Sequence, residues 1–315
     1  MNGLQIITVV NVIILLIGIL LTLVYVLSII LLRRFHTAIN ILTGNFGLSS
    51  IICGSYWMIY NPLTTFHGNI LQGSTVSYVV ISYLTLMVNC LPVYALVNIA
   101  VNRYFTVIYP NRAFFKKQMW ILTSILTQWI VAIILPMPHL ILSYQVTIDI
   151  NQDDNHQLMF RSYLSVLFQT FVNGLRLPSW ILFYNLSVVL IFPSIIIVFF
   201  DSLIFYSVRS STLRVHALPS SAATVANVNH GRNRDVNLVK HMLFIFVMFI
   251  IGWGPIYIYS AVVNMEGIDA RVIILLQILP VLDLSINIID LFIYNRDLRR
   301  YLIERCLNFL RVNRN

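Results

Sequence analysis

Asn102-Arg103-Tyr104-Phe105-Thr106-Val107-Ile108-Tyr109-Pro110 decides how this chain is read. The stretch closes an apolar run that starts near Gln72 and holds no charge before Arg103. A guanidinium does not deprotonate and is costly in hydrocarbon, so it needs partners. A lone arginine at the end of a membrane-length run is either an interfacial anchor or a switch residue.

Working outward, the chain has 315 residues, 59% hydrophobic and only 10% charged. Soluble domains average about 25% charged residues. A membrane crossing needs roughly 20 mostly apolar residues. Seven runs meet that need, at 5–32, 38–62, 75–102, 118–142, 180–208, 238–263 and 271–294. They use most of the chain, which predicts one domain over 1–315. No internal repeat is visible, which disfavours a transporter built from two similar halves. One further apolar stretch, Ser162 to Leu175, is bounded by Arg161 and Arg176. It is too short to span and suits a loop or interfacial helix.

Charge orients the seven runs. With seven crossings, 17 of the 20 Lys and Arg residues fall on one side, and only Arg161, Arg176 and Arg271 on the other. The positive-inside rule then predicts the N-terminus outside and the C-terminus inside. The net charge of +9 follows from this loop bias. The basic residues are spread over separate loops, so nucleic-acid binding is not expected. The first run has no preceding basic residue and about twice the apolar length of a cleaved signal, so it reads as the first span.

Cys53 and Cys90 lie inside runs two and three, which leaves the outer loops without a disulfide. Cys306 lies in a basic tail, where it is either a lipidation site or an ordinary thiol. After Tyr294, apolar Leu298, Tyr301, Leu302, Leu307 and Leu310 alternate with arginines. That pattern predicts an amphipathic helix over about 296–310, lying on the inner membrane surface.

Several motifs now fall into order. Arg103-Tyr104 is followed six residues later by Pro110. Run two holds Asn45-Phe46-Gly47-Leu48-Ser49-Ser50, run four Trp129 and run five Pro193. Run six reads Phe249-Ile250-Ile251-Gly252-Trp253-Gly254-Pro255, and run seven ends Asp290-Leu291-Phe292-Ile293-Tyr294. Their order and spacing over nearly the whole chain resemble the rhodopsin-like (class A) G-protein-coupled receptors. Run six is close to that family's Phe-x-x-Cys-Trp-x-Pro, and run seven to its Asn/Asp-Pro-x-x-Tyr. The resemblance implies an all-α membrane protein, a seven-helix bundle with a short amphipathic C-terminal helix. It also implies a plasma-membrane receptor, not an enzyme, that couples an extracellular peptide or small molecule to a heterotrimeric G-protein without a cofactor.

The departures from the pattern are specific. Ser50 and Thr22 stand where the family has an aspartate and an asparagine, which removes much of its sodium site. Asn102 replaces the usual acid before the arginine. Gly252 replaces a cysteine, Leu291 a proline, and Asp201 a tyrosine of span five. Thr85 stands where monoamine receptors carry an aspartate, and run seven has no lysine for a retinal.

The resemblance places Asn102, Arg103, Tyr104, Asp235, Trp253, Pro255, Asp290 and Tyr294 in the switch and G-protein-coupling region. Asp235 lies twenty residues before Pro255 and would face Arg103, unless both are separate anchors. Pro255 removes a helix hydrogen bond and predicts a kink, which serves as a lever or as a static bend. The predicted ligand pocket holds Thr85, Asn89, Trp253, Tyr257 and Asp283, with further aromatics and Gln277 around it. Asp283 is a counter-ion for a cationic ligand, internal polar glue bonded to Asn89 or Asn98, or a protonated acid. Asp290 is expected in a network with Asn287, Asn98 and Ser50. No metal-ligand spacing or catalytic constellation is present. Two alternatives remain, a seven-helix transporter and a receptor-like protein that does not signal.

Overall fold

The computed structural model describes residues 3–66, 75–109, 112–140, 179–216, 243–262 and 270–312. All regular structure among them is helical. The long elements are α1 (Gly3–Leu31), α2 (Ala38–Phe66), α3 (Thr75–Ile108) and α4 (Gln118–Ile134). Helix α5 runs from Ser179–Leu186 through a π turn at Ser187–Ile191 into Phe192–His216. Helix α6 is Leu243–Val262, α7 is Ala270–Tyr294 and α8 is Arg296–Val312.

Six of these helices are long and apolar enough to cross a membrane, namely α1 and α3 to α7. Helix α2 is as long as α1, at 29 residues, but Asn40, Asn45, Asn61 and its serines, threonines and glycines dilute it. Those polar groups are turned inward. Asn45, Ser49, Ser50 and Asn61 are all buried, because α2 lies against α1, α3 and α4. The outward faces are the reverse, with Ile13, Leu20, Leu126, Ile195 and Ile251 exposed. An apolar girdle around a core rich in amides and hydroxyls is the arrangement that a bilayer selects.

Most predicted boundaries match within a few residues. The exceptions are three: α3, expected to stop at 102, continues to Ile108; α4, expected to reach 142, ends at Ile134; and α5, expected to stop at 208, continues to His216. A charge ends an apolar run, but it does not end a helix. Arg103 is 4% exposed and lies inside the bundle. The loop stretch 162–175, the inner segment beyond 216 and Asp235 fall outside the described residues.

Polar side chains join the helices. Asn45 on α2 accepts from Trp129 Nε1 at 3.0 Å and donates to Gln128 Oε1 at 2.5 Å. Gln128 Nε2 donates in turn to the Leu91 carbonyl on α3 at 3.2 Å. A methyl group placed on Gly47 would lie 2.9 Å from Val26 Cγ2, so only glycine lets α1 and α2 pack this closely here.

The π turn of α5 has a local cause. Phe192 N–H reaches the Ser187 carbonyl, five residues back. The next donor in that register would be residue 193, which is proline and has no N–H. The stranded Val188 carbonyl accepts instead from the Tyr94 hydroxyl on α3 at 3.0 Å.

Helix α8 follows α7 after Asn295, whose side chain accepts from Leu298 N at 3.2 Å as an N-cap. Asn295 Nδ2 also donates to Asn40 Oδ1 on α2 at 3.2 Å. Leu298 is fully buried, and Tyr301 meets Phe35 edge-on with ring centroids 6.2 Å apart. The arginines of α8 that are described, Arg299, Arg300 and Arg305, lie on its exposed side.

Candidate functional site

A cavity lies between the helices at the end of the bundle away from α8. The space between its walls, counted out to open solvent, is about 730 Å³. Thr85, Asn89, Trp253 and Tyr257, all expected there, line it, and so does Gln277. Trp57, Asn61, Leu182, Asn185 and Ser260 complete much of the wall and were not anticipated. Trp57 and Asn61 are one turn apart on α2, a helical spacing that could have pointed to them. Of the aromatics expected around the pocket, Trp180 is half exposed, and Tyr83 donates instead to the Ile133 carbonyl at 3.0 Å.

One asparagine organises the floor. Asn89 Oδ1 accepts from Trp57 Nε1 at 2.9 Å and from Cys53 Sγ at 3.7 Å. Its Nδ2 donates to Tyr257 Oη at 3.0 Å. Tyr257 stacks on Trp253, with ring centroids 6.3 Å apart and planes inclined by 23°. This links α2, α3 and α6 in one continuous chain of contacts.

The chain continues beneath the floor. Trp253 Nε1 donates to Asp283 Oδ2 at 3.0 Å, and Asn287 Nδ2 donates to Asp283 Oδ1 at 2.8 Å. Asp283 is therefore not part of the cavity wall, which corrects its placement in the predicted pocket. The reason lies on the neighbouring helix. A methyl group on Gly252 would sit 2.4 Å from Asp283 Cβ, so the missing side chain of Gly252 is the space the aspartate occupies. Burial of a carboxylate is tolerable when its oxygens are bonded, and here both are. Neither Asn89 nor Asn98, the partners expected for Asp283, takes that role: Asn89 bonds Tyr257, and Asn98 Oδ1 accepts from Asn102 Nδ2 at 3.1 Å.

At the α8 end a second, smaller cavity of about 400 Å³ contains Arg103. Its other walls are almost all apolar, with Phe46, Leu96, Ile197, Ile245, Phe246 and Leu291 among them. Next to Arg103, Tyr104 meets Phe200 of α5 with ring centroids 5.0 Å apart. The residue after Phe200 is half-buried Asp201, next along the helix from the Tyr104 contact. Sequence reasoning noted Asp201 only as a departure from a pattern. Its nearness to Arg103 depends on the packing of α5 against α3.

Asn102 turns the other way, toward α4. Its Nδ2 donates to Ser124 Oγ at 3.1 Å, and its Oδ1 accepts from Trp120 Nε1 at 3.0 Å. It is a neutral joint between two helices. Asp290 lies two turns below Asp283 on α7 and is half-buried. Its expected companions place bonds elsewhere: Asn287 on Asp283, and Ser50 Oγ on the Phe46 carbonyl at 2.9 Å. Pro255 is half-buried in α6, Tyr294 ends α7, and Cys306 lies within α8. Cys53 and Cys90 are free and buried. No cluster of metal-binding side chains occurs among the described residues.

Against this geometry, comparison with known proteins is informative. Residues 21–294 match the family described as 7 transmembrane receptor (rhodopsin family). The match runs from within α1 to the last residue of α7 and takes in the smaller cavity and all of the larger one but Leu15. No curated protein matches the chain.

Proposed function

We propose that this chain, which belongs to the rhodopsin family of seven-transmembrane receptors, couples a ligand in the larger cavity to a heterotrimeric G-protein at the α8 end. The observation that carries this is the Trp253–Asp283 hydrogen bond at 3.0 Å, directly beneath the cavity floor. It ties α6 to α7 through a side chain that a ligand would touch. A ligand that displaces Trp253 or Tyr257 changes the strength of that tie, and the two helices shift their balance of arrangements. Pro255, two residues beyond Trp253, weakens the α6 backbone at the same level.

In this proposal α2 is the seventh crossing, hidden from a hydropathy criterion by the polar face it turns to the core. The larger cavity opens outside the cell, α8 lies on the inner surface of the plasma membrane, and Cys306 is its lipidation site. Residues 1–315 act as one domain. Arg103, Tyr104, Asp290 and Tyr294 form the inner coupling region, with Asn102 bracing α3 against α4. Asp235 restrains Arg103 in the resting state.

The test is ligand-independent recruitment of a chimeric G-protein in cells, at matched surface expression, with terminal tags read before and after permeabilisation. Arg103→Ala should abolish coupling. Asp235→Ala should raise basal coupling, and loss of a restraint worth about 1.4 kcal/mol would raise it roughly tenfold. No coupling from the unmodified chain under any tested G-protein would favour a receptor-like protein that does not signal. An accessible C-terminal tag in intact cells would overturn the orientation.

A further inference from the structure

The geometry points to an uncharged ligand for the larger cavity, one with an apolar body and a carboxamide-like group that both donates and accepts hydrogen bonds. This rests on the receptor reading of the same cavity and adds the chemistry of what enters it.

The first observation is the absence of a counter-charge. Among the described residues, every side chain in the wall is neutral. The one acid near it, Asp283, is 3% exposed and has both oxygens engaged by Trp253 and Asn287. A charged ligand group would lose its water there and gain no opposite charge from the described wall, which disfavours it.

The second observation is unused hydrogen-bonding capacity of one chemical type. Four carboxamides line the cavity: Asn61, Asn89, Asn185 and Gln277. Asn89 is held by Trp57 and Tyr257, and Asn185 Oδ1 bonds His139 at 2.7 Å. The side chains of Asn61 and Gln277 have no hydrogen bond among the described residues, although Asn61 is only 7% exposed. Buried amides are normally paired, so these two are open places for a partner. Each offers one acceptor and two donors, and the group that matches both functions is another amide. Stacked Trp253 and Tyr257, with Leu182, Val281 and Leu284, supply the apolar remainder.

The experiment uses the full chain in lipid nanodiscs and three probes of one shape: phenylacetamide, phenylethylamine and phenylacetate. Thermal unfolding is followed against probe concentration, with no G-protein present. Phenylacetamide should stabilise the receptor at concentrations lower by about tenfold or more than the amine or the acid, as one lost bond or one uncompensated charge implies. Gln277→Met, at a half-buried position, should remove most of that preference, and Asn61→Leu the rest. If Asn61→Leu does not fold, Asn61→Ser serves, because it shortens the reach of the polar group. The proposal is overturned if the amine stabilises best, above all if Asp283→Asn removes that effect. It is equally overturned if phenylacetamide gives no shift, or one that survives both substitutions. Because binding alone is read, failure here leaves G-protein coupling standing, and failure of coupling leaves this result standing.

Discussion

The two cavities of this bundle handle polarity in opposite ways. The one away from α8 is lined by amides, hydroxyls and aromatic rings, and its nearest charge is tucked below the floor. The one at the α8 end is nearly all hydrocarbon and holds a single guanidinium. Neutral polar groups discriminate by hydrogen-bond pattern, and each contributes little to stability inside a membrane protein. A buried cation is governed by which charges the surrounding helices bring near it. Substitutions at the first end should therefore change what binds, while those at the second should change which helix arrangement is favoured. The layer between the ends, where Gly252, Trp253 and Asp283 meet, belongs to both.

That layer offers the most severe test. Gly252→Val should overpack the α6–α7 contact and destabilise the fold by about 1–3 kcal/mol. Its thermal unfolding midpoint in nanodiscs should fall, and probe binding should fall with it. A midpoint equal to that of the unmodified chain would mean α6 and α7 are free to separate, and the floor would not join the two ends.

Asp283 sharpens the same point with a smaller effect. Asp283→Ala leaves the buried Trp253 N–H and the Asn287 amide without acceptors, a cost of about 1–2 kcal/mol. Asp283→Asn keeps a carbonyl for Trp253, so its loss should be less than about half of that. Equal losses for both would indicate that the negative charge, and not the hydrogen bond, holds the layer together.

The smallest expected change is at Asn102. Asn102→Leu removes its bonds to Trp120 and Ser124, worth roughly 0.6–1.7 kcal/mol in a membrane bundle. Trp120 emission should change, because its indole loses an acceptor. Coupling should weaken less than for Arg103→Ala. If the two variants are equally inactive, Asn102 is part of the same unit as the arginine and not a brace beside it.

Much of this was legible from residues alone, for identifiable reasons. Six helices betray themselves by apolar length. The polar α2 was also expected as a helix, although its composition dilutes it, because the run 38–62 carries no charge. Thr85, Asn89, Trp253 and Tyr257 were expected in the cavity because they lie in the outer halves of their runs. What sequence could not reveal was direction. Whether Asp283 points into the cavity or beneath it depends on an absent side chain on another helix, at Gly252. The end of α3 was misjudged because Arg103 looks like a terminus when its burial cannot be seen. The proximity of Asp201 to Arg103 needs two helices in register, and no pattern within α5 announces it.

That register has a source. An α-helix advances each residue by roughly 100° about its axis, so the extra residue accommodated at Ser187–Ile191 turns all that follows by about that angle. Residues before and after the turn consequently obey two different helical wheels. A face traced from Leu182 by ordinary counting ends on the wrong side by the time it reaches Phe200 and Asp201. The Tyr94 hydroxyl on Val188 works as an indexing pin, holding the rotated half of α5 at one setting. Drop a single residue from the turn and a plain helix could form, but Phe200 would swing away from Tyr104 and Asp201 away from the arginine. Phase, more than length, is thus the hidden coordinate of α5, and two residues on either side of the turn share a face only when the extra residue is counted.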